Sequence, residues 1–254
     1  MSAPTPAAPT PSAPSSSAPT TSAPGVSVDS HPVVAFDLDG TLVDTAPDLL
    51  NALDAILAGH GLPQVERAHA RNMIGGGAKL LIQRALTSAG VPFSEAELSE
   101  LNQQFVAHYA AHIADESRPF PGLLPALDRL ADAGARLCVC TNKLERLARE
   151  LLDALDLTGR FAVVTGGDTY ARPKPDPLPL SATIAAAGGA PARAIMVGDS
   201  ITDIRAARAT GVPVIAVSFG YTETPAAELG ADALIHHYDE LARAVAALLP
   251  RAAA

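Results

Sequence analysis

Val33-Val34-Ala35-Phe36-Asp37-Leu38-Asp39-Gly40-Thr41 is the segment that most constrains the architecture of this chain. It opens on an unbroken apolar run, as in a strand covered on both faces; a half-exposed strand would alternate. The run stops on two carboxylates two residues apart. On an extended chain such side chains share a face. Like charges placed so repel, and a structure that accepts them supplies a cation or a proton. The carboxyl end of a strand is also where open α/β sheets gather their ligands. Alone, Asp-x-Asp is a weak motif and often a solvated turn.

Outward from this run, the pattern repeats. Arg136–Asn142, Phe161–Thr165, Ala194–Asp199 and Pro213–Ser218 read as further buried strands, with Ala233–His237 as a weaker edge strand. Helical periodicity fills the intervals at Leu123–Ala133, Leu144–Leu155 and Pro177–Ala187. The alternation predicts an α/β fold, a doubly wound, Rossmann-like parallel sheet. One interval departs from it. Between the first two strands the chain reads as helices only, at Pro47–Ala58, Ala78–Ala89 and Glu95–Ala114. Thr45 with Asp48 and Ser94 with Glu97 have capping-box spacing, and Leu49, Leu50, Leu53, Ile56 and Leu57 make one apolar stripe. We therefore expect a helical cap over residues 45–120, inserted into a core of residues 31–44 and 121–254.

Composition limits the remaining choices. The chain has 254 residues, 48% of them hydrophobic, and a formal net charge of -9. A net acidic chain is poorly suited to nucleic acid or an anionic membrane, and an anionic substrate must then be drawn in by a local positive site. No apolar run reaches the length of a membrane span. Residues 1–30 are almost entirely Pro, Ala, Ser and Thr, with neither the features of a signal peptide nor the Arg of a transit peptide. They are expected to be a disordered tail. The only cysteines, Cys138 and Cys140, alternate within a strand run and read as buried thiols, compatible with a reducing cytoplasm.

Three further strand ends or following loops carry polar groups. Thr141-Asn142 offers a hydroxyl and an amide, which serve equally as a helix cap. In Arg172-Pro173-Lys174-Pro175-Asp176-Pro177 the prolines hold the backbone extended around Lys174. Gly198-Asp199-Ser200-Ile201-Thr202-Asp203 spaces two carboxylates for one face of a helix start. Each has a bland explanation; the ordered set does not.

Asp37-x-Asp39-Gly-Thr, Thr141, Lys174 and Gly-Asp199-x-x-x-Asp203, in that order, resemble the four motifs of the haloacid dehalogenase-like superfamily over residues 33–237. Asp39-Gly-Thr-Leu-Val-Asp-Thr-Ala-Pro-Asp48, Ile74-Gly-Gly-Gly-Ala78 and Lys174-Pro-Asp-Pro-Leu-Pro179 narrow the resemblance to phosphoglycolate phosphatases. It implies an enzyme that hydrolyses 2-phosphoglycolate, with Mg²⁺ as cofactor and a small anionic phosphoester as substrate, working as a monomer or homodimer in the cytoplasm. It further implies that Asp37 is the nucleophile and that Asp39 protonates the leaving alkoxide and then takes a proton from water. An ordinary Asp titrates at about 3.9, so Asp39 must be supplied as the acid by its surroundings or the substrate. Metal would be held by Asp37, the backbone carbonyl of Asp39, and Asp199, with Asp203 behind them orienting water or Lys174. Thr141 and Lys174 would bind the phosphoryl group, helped by Asn142. In the cap, Gly75, Gly76 and Gly77, with Lys79 or Arg84, would receive a carboxylate at a helix start; a hinge loop is the even alternative.

Related activities fit less well. Dehalogenases do not need the second Asp, and phosphonoacetaldehyde hydrolases also depart there. β-Phosphoglucomutases, with the same core and a helical cap, typically carry a His soon after the first motif, where this chain has Asp44-Thr-Ala-Pro-Asp48. A non-catalytic binding protein would not need the full motif set.

Overall fold

The computed structural model describes Met1 and residues 31–249. The expected disordered tail, apart from Met1, lies outside the described residues. The strands are β1 (Val33–Phe36), β2 (Val43–Asp44), β3 (Arg118–Pro119), β4 (Arg136–Cys140), β5 (Val163–Thr165), β6 (Ala194–Gly198), β7 (Val214–Val217) and β8 (Ala233–Ile235). The α-helices are α1 (Ala46–Gly59), α2 (Arg67–Arg71), α3 (Ala78–Ser88), α4 (Glu95–Ala111), α5 (Leu123–Asp132), α6 (Glu145–Ala154), α7 (Pro177–Ala186), α8 (Ile201–Thr210) and α9 (Leu241–Leu248).

Six strands form one sheet in the order β5-β4-β1-β6-β7-β8, and every pairing in it is parallel. This is the doubly wound α/β fold. Alternate residues explain the unbroken apolar runs. Val34, Phe36, Val139 and Val197 pack on one face with α5, α6 and α9. Val33, Ala35, Cys138 and Met196 pack on the other with α7 and α8. Cys138 and Cys140 are buried free thiols on that second face. β1 lies between β4 and β6, with Phe36 level with Val139 and Val197. Three strands thus end flush, and the polar residues after each one emerge together.

Helices α1, α3 and α4 bury a separate apolar cluster that includes Leu53, Ile82, Leu98 and Phe105. The expected capping box of Ser94 and Glu97 is present at the start of α4. At α1 it is absent. The Thr45 hydroxyl makes no cap bond and donates instead to Asp39 Oδ1 at 2.7 Å. Asp48 turns away to accept from the Glu116 and Ser117 N–H groups and the Ser117 hydroxyl. The reason is tertiary: Asp48 sits opposite the returning chain, where the N–H of Ser117 would otherwise be buried unpaired. The helices-only interval also ends in a strand. β2 and β3 pair antiparallel, Val43 with Pro119 and Asp44 with Arg118, where the chain leaves and re-enters the sheet unit.

Candidate active site

The site is assembled where β1, β4 and β6 end. Asp37 follows β1 and is 3% exposed. Its Oδ1 accepts from the Leu38 N–H at 2.7 Å and lies 3.1 Å from Lys174 Nζ. Lys174 donates to Asp203 Oδ1 at 2.6 Å. The other oxygen of Asp203 accepts from the Ser200 N–H and hydroxyl, so the bonding of this carboxylate is already committed. Asp199 accepts from the Thr41 hydroxyl at 3.2 Å and the Tyr221 N–H at 2.6 Å. Gly40 makes this approach feasible: its φ is +78°, and a Cβ there would lie 2.3 Å from Asp199 Oδ2.

Electrostatics follow from burial. Desolvation pushes the Asp37 carboxyl up to about 6, with Lys174 pulling the other way. Asp199 is pushed well above the carboxylate range by burial and then by Asp203 and Asp37. Burial alone would lower Lys174, yet Asp203 and Asp37 outweigh it and hold the ammonium above its usual range. Carboxylate oxygens of Asp37, Asp199 and Asp203 come within 4.8 Å of one another. Lys174 pairs with Asp37 and Asp203 and leaves Asp199 without a cation, so the cluster is short of positive charge, and its all-oxygen donor set fits a hard divalent cation.

Other residues named from sequence fall around the same opening. Asp39, Thr141, Asn142, Gly75, Gly76, Gly77 and Lys79 line a cavity of about 240 Å³ together with Asp37. Apolar cap residues Leu49, Phe105 and Val106 complete its wall. The Thr141 hydroxyl accepts from the Lys143 N–H, which leaves its own proton for an anion. Asn142 donates its amide to the Lys174 carbonyl at 3.0 Å and so braces that loop, while its Oδ1 is buried without a hydrogen-bond partner. Lys79 is paired with Glu95 at the exposed rim. Arg84 does not line the cavity; it donates to the Met73 carbonyl ahead of the glycine loop.

Lys143, Tyr109 and Tyr221 were not singled out by sequence reasoning. Lys143 is buried and bonds Asp39 Oδ1 and the Tyr109 hydroxyl, each at 2.9 Å. Desolvation pushes Tyr109 up to about 12 against the pull of Lys143. Tyr221 bonds Asp44 and accepts from the Ala46 N–H at 2.9 Å, and Arg71 lies over its ring. The adjacency of Lys143 to Thr141-Asn142 was a usable signal. The partners of Tyr109 and Tyr221 lie too far away in sequence for any local pattern to show.

The profile of the haloacid dehalogenase-like hydrolases matches residues 34–217. The chain belongs to this family. A phosphoglycolate phosphatase of Caulobacter vibrioides is 49% identical over 85% of this chain and 91% of its own. An N-acetylmuramic acid 6-phosphate phosphatase of Pseudomonas aeruginosa is 37% identical over 82% and 92%. A crystal structure described as a predicted phosphoglycolate phosphatase from Haemophilus somnus superposes with a TM-score of 0.78 at 30% identity, over 84% of this chain and 97% of that one. This haloacid dehalogenase-like hydrolase is thus an enzyme similar in sequence to phosphoglycolate phosphatases. Among its described residues no helix is long and apolar enough to cross a membrane.

Proposed function

We propose that this hydrolase is an Mg²⁺-dependent phosphomonoesterase that works through an aspartyl phosphate on Asp37 and takes 2-phosphoglycolate to glycolate and phosphate. The observation that carries this is the contact of Lys174 with both Asp37 and Asp203 beside Asp199, a nucleophile and a phosphoryl cation meeting at one strand end. The substrate is supported by the 49%-identical phosphoglycolate phosphatase.

In this reading an Asp37 oxygen attacks phosphorus, and Thr141 and Lys174 hold the phosphoryl oxygens. Asp39 gives its proton to the leaving alkoxide, then takes one from the water that cleaves the acyl phosphate. Thr45 and Lys143 both bond Asp39 Oδ1, which fixes the carboxyl at the cavity wall. Asp37, the Asp39 carbonyl and Asp199 would hold Mg²⁺, whose charge lets an anionic nucleophile meet an anionic phosphoryl group. Asp203 keeps Lys174 in place. Phe105, Val106 and Leu49 keep bulk water from the reacting atoms. The glycine loop shapes the roof: Gly77 takes a φ of +88°, a backbone conformation that a residue with a side chain rarely adopts. The core of residues 31–44 and 121–254 carries the chemistry here and the cap of 45–120 the selection. Two buried free thiols suit a cytoplasmic enzyme.

One observation favours a second reading. The unpartnered Asn142 Oδ1 is an acceptor that suits a substrate hydroxyl or amide, as on a sugar phosphate. A panel of 2-phosphoglycolate, hexose phosphates, N-acetylmuramic acid 6-phosphate and a nucleoside monophosphate, each with Mg²⁺, separates the two. We expect the highest kcat/KM on 2-phosphoglycolate. A sugar phosphate in first place would overturn the substrate, and no turnover of any ester would overturn the phosphatase.

A further inference from the structure

Lys143 is a second buried ammonium on the cavity. Among the described residues, Lys174 and Lys143 are the only buried cationic side chains. Lys174 is committed to the two carboxylates beneath the phosphoryl position. Lys143 faces one carboxylate, Asp39, and on its other side the hydroxyl and ring of Tyr109, with its Nζ 4.3 Å from the ring centre. An ammonium carries three donors, and these contacts use two. Burying a charge is costly, and Asp39 and Tyr109 offset that cost well enough to keep Lys143 an ammonium, with one donor left over.

We propose that Lys143, with Tyr109 beside it, seats the second anion of the substrate, a carboxylate attached one carbon from the ester oxygen. The inference rests on the proposed role of Asp39. A leaving oxygen that takes the Asp39 proton must lie against that carboxyl, and Lys143 Nζ is 2.9 Å from its Oδ1. A carboxylate one carbon from that oxygen therefore falls beside Lys143 without leaving the cavity. The cations that the cap brings near the site are engaged elsewhere. Lys79 pairs with Glu95 at the rim, Arg84 holds the Met73 carbonyl, and Arg71 lies on Tyr221 and Asp44. The start of α3, after Gly77, offers N–H groups, and the charge in its first turn, Lys79, is the one already paired with Glu95. Tyr109 comes from the cap and Lys143 from the core, so the seat is complete only with the cap over the sheet.

The test is a pair of phosphonates that do not turn over, 3-phosphonopropionate and propylphosphonate, alike in size but differing in the carboxylate. Their inhibition constants are measured against hydrolysis of an aryl phosphate. In the wild type we expect 3-phosphonopropionate to bind at least about tenfold more tightly, since a hydrogen bond to a charged group is worth roughly that factor or more. In K143M the preference should shrink to within about threefold, and K143R should recover part of it. Both variants also lose turnover, because Asp39 loses or changes its partner, so the readout is the ratio. A residue that only positioned Asp39 would leave the ratio unchanged. A wild-type enzyme that hydrolyses the aryl phosphate but binds both phosphonates equally would overturn the seat and spare the phosphatase. A preference that survives in K143M would move the seat to the Gly75–Gly77 loop. No hydrolysis of any phosphate ester would remove the proposed function and the seat together.

Discussion

Lys174 and Lys143 border the same cavity, and the difference between their surroundings separates two jobs. Lys174 is held by Asp37 and Asp203, both contributed by the sheet unit. Its site is complete without any cap residue. Lys143 is held by Asp39 from the sheet unit and Tyr109 from α4. Its site straddles the two units. The floor is dense in charge and cross-bonded, so it suits a reaction whose demands are the same for every phosphate ester. The roof is mostly apolar and meets the floor's second lysine through the Tyr109 hydroxyl and ring, so it suits choosing among esters.

The largest effect should come from the floor. Asp37→Asn is expected to reduce turnover by at least about 10⁴-fold and to prevent covalent phosphate labelling, with the fold retained. Labelling at the wild-type level would remove Asp37 as the nucleophile. Stability is the next test of the contrast. Lys174→Met leaves Asp37 and Asp203 buried without their cation, and breaking such a pair costs about 3–5 kcal/mol. Lys143→Met should cost less than half of that, because Asp39 retains the Thr45 bond and faces the cavity. Urea denaturation of both variants measures the gap; equal losses would erase the distinction between the two lysines.

Protons and metal should compete for the same carboxylates. Asp37, pushed up to about 6, and Asp199, also raised, hold protons in the folded state that the unfolded chain releases near pH 4. The unfolded state binds fewer protons over this range, so these two groups make the metal-free fold less stable as pH rises from about 4 through 6. A cation needs them ionised. Added Mg²⁺ should therefore raise Tm more at pH 7.5 than at pH 5, and the increment should be small in Asp199→Asn. A pH-independent increment would show that these carboxylates are not the ligands. The smallest effect is where β2 passes into α1. Tyr221→Phe removes bonds to Asp44 and the Ala46 N–H, a loss of about 1–2 kcal/mol by thermal unfolding. Mg²⁺ affinity should hold, because Asp199 is bonded by the backbone of residue 221.

What the sequence disclosed follows the range of each interaction. Val33–Phe36 announces a buried strand because its environment is apolar on both faces, a property each residue carries itself. Asp37, Thr141, Lys174 and Asp199 were legible because parallel strands ending flush turn order along the chain into proximity. Thr45 and Asp48 misled. Their spacing satisfied a local rule, but each hydrogen bond went to a distant partner, Asp39 in one case and Ser117 in the other. Lys143 with Tyr109 and Tyr221 with Asp44 were invisible for the same reason. Each joins residues far apart in the chain that only the tertiary fold brings together.

The ribbon of β2 and β3 has a consequence for how this chain can vary. Its two strands bring Asp44 level with Arg118. Everything between them enters and leaves the sheet unit through one narrow neck. The cost of closing a loop grows only with the logarithm of its length, so lengthening, trimming or exchanging those helices scarcely strains the neck. β1 and β4 keep their pairing however the intervening chain is rewritten. New selectivity can thus arise from insertions and deletions in one continuous gene segment, while the nucleophile and its lysine remain undisturbed.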